Sequence, residues 1–143
     1  MDKHCVSLEI SKELKEAGYS RKGEFYYSNS DEGIVIVSPD KNCKGCYGVF
    51  GKNGYEVSER SIICPAPLAT ELLEGLPGYL ENQKGEMVRQ LMIEKHEELD
   101  KKEPYYICYE PNIERIPAFE MYADTLSNAL AKMWLYLRKE KLI

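Results

Sequence analysis

The chain has 143 residues, 43% of them hydrophobic and 30% charged, a balance that fits a folded chain and excludes disorder by composition. A net charge of −5 excludes nucleic-acid binding by bulk electrostatics, which requires a concentrated basic face. No apolar run approaches the roughly 20 residues of a membrane span, and residues 1–5 carry no apolar leader. A cytoplasmic protein is therefore expected, with its five cysteines reduced, since an odd count fits a disulfide framework poorly. Eleven tyrosines against three phenylalanines suit half-exposed sheet faces and interfaces, because tyrosine buries a ring while its hydroxyl stays wet. They also raise the expectation of a homo-oligomer.

In chain order, Ser7 to Gly18 reads as a helix with Ile10, Leu14 and Ala17 on one stripe, closed by Gly18 and a back-folded Tyr19. Glu24–Ser28 and Gly33–Ser38 read as a hairpin across Asn29-Ser30-Asp31-Glu32. The unbroken run Ile34-Val35-Ile36-Val37 predicts a central strand covered on both faces. Tyr47–Phe50 and Tyr55–Val57 flank Asn53-Gly54, a tight-turn signal, and Ser61–Cys64 is a further strand. Leu68–Gly75 is a short helix with Leu68, Leu72, Leu73 and Leu76 on its apolar face, stopped by Pro77. Residues 86–102 fit either a helix or a strand over Arg89–His96, and the strand is preferred because Tyr105–Tyr109, a strand by propensity, needs a neighbour. Pro111–Tyr122, with Pro117 inside it, reads as a loop or edge segment. Leu126, Ala129, Leu130, Met133, Trp134 and Leu137 then recur at i, i+3, i+4, i+7, i+8 and i+11, a core helix with Asp124 placed as its N-cap. The fold class this predicts is α+β, a single domain over 1–143 with a mostly antiparallel sheet packed by the N- and C-terminal helices.

Three separated blocks, Ser7–Tyr19, Pro65–Pro77 and Ala123–Leu135, resemble a group of small bacteriophage and prophage proteins. The marks are a first helix ending in Ala-Gly-aromatic, a proline-rich entry to a short leucine-rich helix, and an Ala-Leu-Ala-Lys-x-Trp-Leu helix at Ala129–Leu135. The resemblance carries no catalytic residues. It implies a virus-encoded accessory protein of the bacterial cytoplasm that acts by binding. Such a protein would counteract host antiviral defence, either by inhibiting a host protein or by sequestering a signalling nucleotide.

The sharpest chemical motif is Cys43-Lys44-Gly45-Cys46. Two thiolates at this spacing can grip one Zn²⁺ from a tight turn, although a closed site needs two more ligands. A zinc-stabilised interaction module centred on this pair and an enzyme with a dispersed, motif-less site are the alternative readings. A redox pair of the thioredoxin kind would require a helix N-terminus after a strand, whereas this pair precedes a strand. Tyr105, Tyr106 and Tyr109 with Arg115 could present rings and a cation to a ligand, and Arg21 and Lys22 could supply charge to a phosphate. His96 stands in a mixed charge run that reads as a solvated face.

Overall fold

The computed structural model describes residues 4–52, 54–96, 102–111 and 119–143. The chain is α+β, with helices towards both termini and two antiparallel sheets. Its contacts fall into two compact units, Met1–Leu68 and Ala69–Ile143, so the sheet expected from the sequence is two sheets, each with a terminal helix of its own. No helix among the described residues is long and apolar enough to cross a membrane.

In the first unit, α1 (Leu8–Glu16) buries Ser11 and Leu14. Gly18 takes a φ of 89°, which only glycine adopts cheaply. The Tyr19 amide then reaches back to the Leu14 carbonyl at 2.9 Å, the stop expected from Ala-Gly-Tyr. Five strands follow, β1 (Tyr26–Ser30), β2 (Gly33–Pro39), β3 (Cys46–Val49), β4 (Glu56–Ser58) and β5 (Ile62–Pro65), in the order β4-β3-β2-β1-β5. The first hairpin is tighter than expected. Ser30 pairs with Gly33, the turn shrinks to Asp31-Glu32, and the Ser30 hydroxyl both accepts from the Glu32 amide and donates to the Gly33 carbonyl. Residue 53 of the expected Asn53-Gly54 turn lies outside the described residues.

The core of this unit gathers Cys5, Tyr27, Cys64 and Ala66, with Leu8, Phe25, Ile36, Ile63 and Leu68 packed around them. The buried Tyr27 hydroxyl donates to the Val6 carbonyl at 2.8 Å. β2 is central, but its apolar run is not covered on both faces. Val37 is fully buried, whereas Ile34 is 50% exposed. The reason is position, since Ile34 pairs with Asn29 at the turn end of the hairpin, one pair from Ser30–Gly33.

In the second unit, α2 (Ala69–Gly75) buries Leu72 and leads to a buried Leu76, while Leu73 faces solvent at 42% exposure. The buried pair is Leu72 and Leu76, four residues apart; Leu73, beside Leu72, points away from it. The sheet runs β6 (Tyr79–Glu81), β7 (Met87–Lys95), β8 (Tyr105–Pro111), β9 (Phe119–Ala123) in spatial as in chain order. Met87–Lys95 is thus a strand, as preferred. β6 is an element the sequence reading left out. Its hairpin is organised by Asn82, whose carbonyl oxygen accepts from the Lys84 and Glu86 amides at 2.9 and 3.0 Å.

The last helix, α3 (Leu126–Lys139), is capped by Thr125, not by Asp124. Thr125 has extended backbone and its hydroxyl accepts from the Asn128 amide at 3.2 Å. Asp124 stands one residue farther out, accepting from the Thr125 amide and from the Asn128 side chain. Ala129, Leu130, Met133 and Leu137 are completely buried, with Leu126 and Trp134 half-buried beside them. α3 packs on α2, β8 and β9. Met133→Ala should lower stability by about 2–5 kcal/mol and Thr125→Ala by about 1 kcal/mol. Tyr122→Ala on the other side of the sheet should stay within about 0.5 kcal/mol of the parent. Urea unfolding of the three variants checks that ordering.

Candidate binding face of the second sheet

A strand sends successive side chains to opposite faces, and the register of β7, β8 and β9 fixes which residues meet. On one face the rows are Leu91–Tyr109–Phe119, Ile93–Ile107–Met121 and Lys95–Tyr105–Ala123. α3 lies on this face, where the Phe119 and Tyr136 rings are 5.1 Å apart. Ile107, Tyr109 and Ala123 are buried here. The Tyr109 hydroxyl donates to the Pro77 carbonyl. Arg89, 8% exposed, lays its guanidinium 3.9 Å from the Phe119 ring centre and donates to the Tyr109 carbonyl.

On the other face the rows are Gln90–Glu110, Met92–Cys108–Glu120 and Glu94–Tyr106–Tyr122. Among the described residues no helix packs on this face: Gln90, Glu94, Glu110, Glu120 and Tyr122 are exposed, the last at 46%, while Met92 and Tyr106 are half-buried and Cys108 is buried. Tyr106 is the hub. Its ring stands 4.9 Å from Tyr122 and 5.6 Å, edge to face, from His96. His96 Nε2 lies 3.0 Å from a Glu94 carboxylate oxygen. The Tyr106 hydroxyl is shared between the Cys108 sulfur and Glu120 Oε2, the latter at 3.2 Å. Lys132 enters from the edge, donating to the Tyr122 carbonyl at 2.8 Å and facing Glu103 at 3.4 Å.

The electrostatics follow from this arrangement. The hydrogen bond to Cys108, then burial, then Glu120 hold the Tyr106 phenol well above its ordinary range. Burial first, then the charges of Glu110, Glu94 and Glu120, push the Cys108 thiol up, against the hydrogen bond from Tyr106. One thiol thus registers all three carboxylates of the face. In the core, burial alone raises Tyr109.

The structure separates the residues singled out from the sequence. Tyr106 is on the open face; Tyr105 and Tyr109 project to the helix side, and Tyr109 is fully buried. The three tyrosines therefore do not form one surface, since odd and even positions of a strand point apart. Arg115 lies outside the described residues. Arg21 and Lys22 are exposed in the first unit, between α1 and β1. Glu110, Glu120 and Tyr122 were missed, while Glu94 and His96 were read only as part of a solvated charge run; the available signal was the alternation in Glu94-x-His96, Tyr106-x-Cys108-x-Glu110 and Glu120-x-Tyr122.

Cys43 and Cys46 are joined in a disulfide, a departure from the reduced thiols expected, while Cys5, Cys64 and Cys108 are free and buried. A zinc site would need both sulfurs back as thiolates and two further ligands. Among the described residues no cluster of three or more His, Cys, Asp or Glu stands ready to hold a metal ion. A cleft of about 720 Å³ lies between the α2–β6 segment and Leu142-Ile143, and a second of about 430 Å³ lies over Ile34, Ile36 and Phe50 in the first unit. None of the candidate site residues named from the sequence lines either one.

Comparison with protein-family models, with characterised proteins and with solved structures finds no match.

The buried thiols give a pH dependence of known sign. Burial holds Cys64 and Cys108 above the ordinary thiol value of 9.0, so the folded state keeps protons that the unfolded chain releases. Their contribution is intact below about pH 8.5 and is lost as pH rises beyond it. Stability measured by urea unfolding should fall between pH 8.5 and 10, and should fall less steeply in Cys64→Ala/Cys108→Ala. An equal slope in that variant would assign the loss to other groups.

Proposed function

We propose that this protein acts by binding a protein partner through the open face of the second sheet, and that the partner presents a basic segment. The observation that carries the reading is the composition of that face. Three carboxylates, Glu94, Glu110 and Glu120, share the face with the tilted ring pair of Tyr106 and Tyr122, on a sheet braced from behind by α3. Carboxylates accept an arginine guanidinium through two parallel hydrogen bonds, and tyrosine faces take the same cation over the ring. The alternation also suits an extended segment that offers every second side chain.

The charge of the face favours one of the occupants considered from the sequence over the others. A signalling nucleotide would bring phosphates against three carboxylates, so sequestration through Tyr106 is disfavoured by like-charge repulsion. A second copy of the chain would set two such groups against one another, and a homo-oligomer would have to use a different surface. Taken with the phage resemblance, the reading is of an accessory protein that occupies a basic segment of a bacterial host protein in the cytoplasm. Interference with host defence is the form of that activity proposed here.

Fluorescence anisotropy with a labelled arginine-glycine peptide tests the reading. Saturable 1:1 binding is expected, weakened about tenfold by Glu94→Gln/Glu110→Gln/Glu120→Gln, at about 0.5 kcal/mol per partly exposed pair. Tyr122→Ala should weaken it several-fold without loss of stability. Equal binding of a glutamate-glycine peptide, or unchanged affinity in the triple variant, would remove the proposal.

A further inference from the structure

The bond between Cys43 and Cys46 belongs to the first unit and plays no part in the face described above. It closes the loop between β2 and β3 across a sequence separation of only three residues. The stabilisation a disulfide gives by restricting the unfolded chain grows with the length of loop it closes, so this one stands at the weak end. The loop is also held without it. The Asp40 amide donates to the Cys46 carbonyl at 2.9 Å, and the Cys46 amide to the Cys43 carbonyl at 3.2 Å. The Asn42 amide donates to Asp40 Oδ1 at 2.7 Å. From the far side, the Glu59 amide donates to the Gly45 carbonyl at 3.2 Å. Cys46 then enters β3, paired with Ser58 of β4.

Access divides the five cysteines into two groups. Cys43 and Cys46 are half-exposed, with exposed Lys41, Asn42, Lys44 and Gly45 around them. Cys5, Cys64 and Cys108 are 0%, 1% and 3% exposed, beyond the reach of a soluble thiolate. Among the described residues no helix N-terminus stands at the pair, whose loop connects two strands, so the helix-terminus activation of a thioredoxin-type pair is not built here.

We infer that Cys43 and Cys46 form a reversible dithiol/disulfide site, a place where the chain exchanges with a soluble dithiol reductant while its fold stays in place. In the exchange, one thiolate of the reductant attacks one of the two sulfurs. The Cys43–Cys46 bond breaks, a mixed disulfide forms, and the displaced cysteine sulfur takes a proton. The reductant's second thiolate attacks its own sulfur in the mixed disulfide, releasing the other cysteine as a thiol and closing the reductant's disulfide. Two electrons and two protons reach the pair, and one dithiol is oxidised.

The test is alkylation of the native full-length chain with a mass label after equilibration in dithiothreitol at graded ratios of reduced to oxidised reagent. Two labels should appear together, on Cys43 and Cys46, in one transition and without urea. The melting midpoint of the reduced chain should fall by less than about 10 °C, and Cys43→Ser/Cys46→Ser should melt in the same interval and take no label. The inference is overturned if labels appear only on unfolding, or if two labels are found even in the most oxidising mixture. It is equally overturned if reduction abolishes the circular dichroism of the folded chain. Retention of one Zn²⁺ per reduced chain after desalting would reassign the pair to a metal site.

Discussion

The packing of α3 on one face of the second sheet is the contact on which the rest of that unit depends. Ala129, Leu130, Met133 and Leu137 bury completely, and aliphatic and thioether side chains of this size each contribute roughly 1.5–3 kcal/mol when withdrawn from water. The helix decides which of two alternating sets of side chains becomes core. Ile107, Tyr109 and Ala123 go inward, and Arg89 is clamped over Phe119 at their margin. The complementary set sends Tyr122 and the three glutamates to solvent, with Tyr106 half-buried among them. Function is proposed for that set because the core has no use for it.

The open face is ordered, although no helix supports it directly. Tyr106 touches His96 and Tyr122 through its ring and Cys108 and Glu120 through its hydroxyl. A network of this kind holds the aromatic side chains before any partner arrives, which reduces the ordering cost of binding. Its charge is carried by the exposed Glu94, Glu110 and Glu120. Exposed carboxylates are individually weak partners, so selectivity on such a face comes from their spacing in register across three strands.

Much of the fold was legible because its signals are periodic. The α3 stripe, the Ala-Gly-Tyr stop after α1 and the strand character of Tyr105–Tyr109 all follow from local spacing and propensity. Where the reading failed, the deciding quantity was non-local. Tyr105, Tyr106 and Tyr109 were grouped by nearness in sequence, yet the strand period of two that they themselves establish sends Tyr106 away from the others. Glu120 and Tyr122 join Tyr106 only through the pairing of β9 with β8, which no single segment encodes. β6 is three residues long, too short to show a period. Ile34 and Leu73 are apolar residues that the finished fold leaves outside. The state of Cys43 and Cys46 depends on redox chemistry, to which a spacing rule for metal ligands is blind.

The proposed binding face draws on Tyr106 and Tyr122, whereas Tyr105 and Tyr109 belong to the helix side. Fluorine NMR of the chain labelled with fluorotyrosine reads both sets at once, with Tyr105, Tyr106, Tyr109 and Tyr122 assigned by single Tyr→Phe substitutions. On titration with an arginine-glycine peptide, the resonances of Tyr106 and Tyr122 should move together to saturation while those of Tyr105 and Tyr109 stay fixed. Movement confined to Tyr105 and Tyr109, or no movement of Tyr106 and Tyr122 at saturating peptide, would contradict the account.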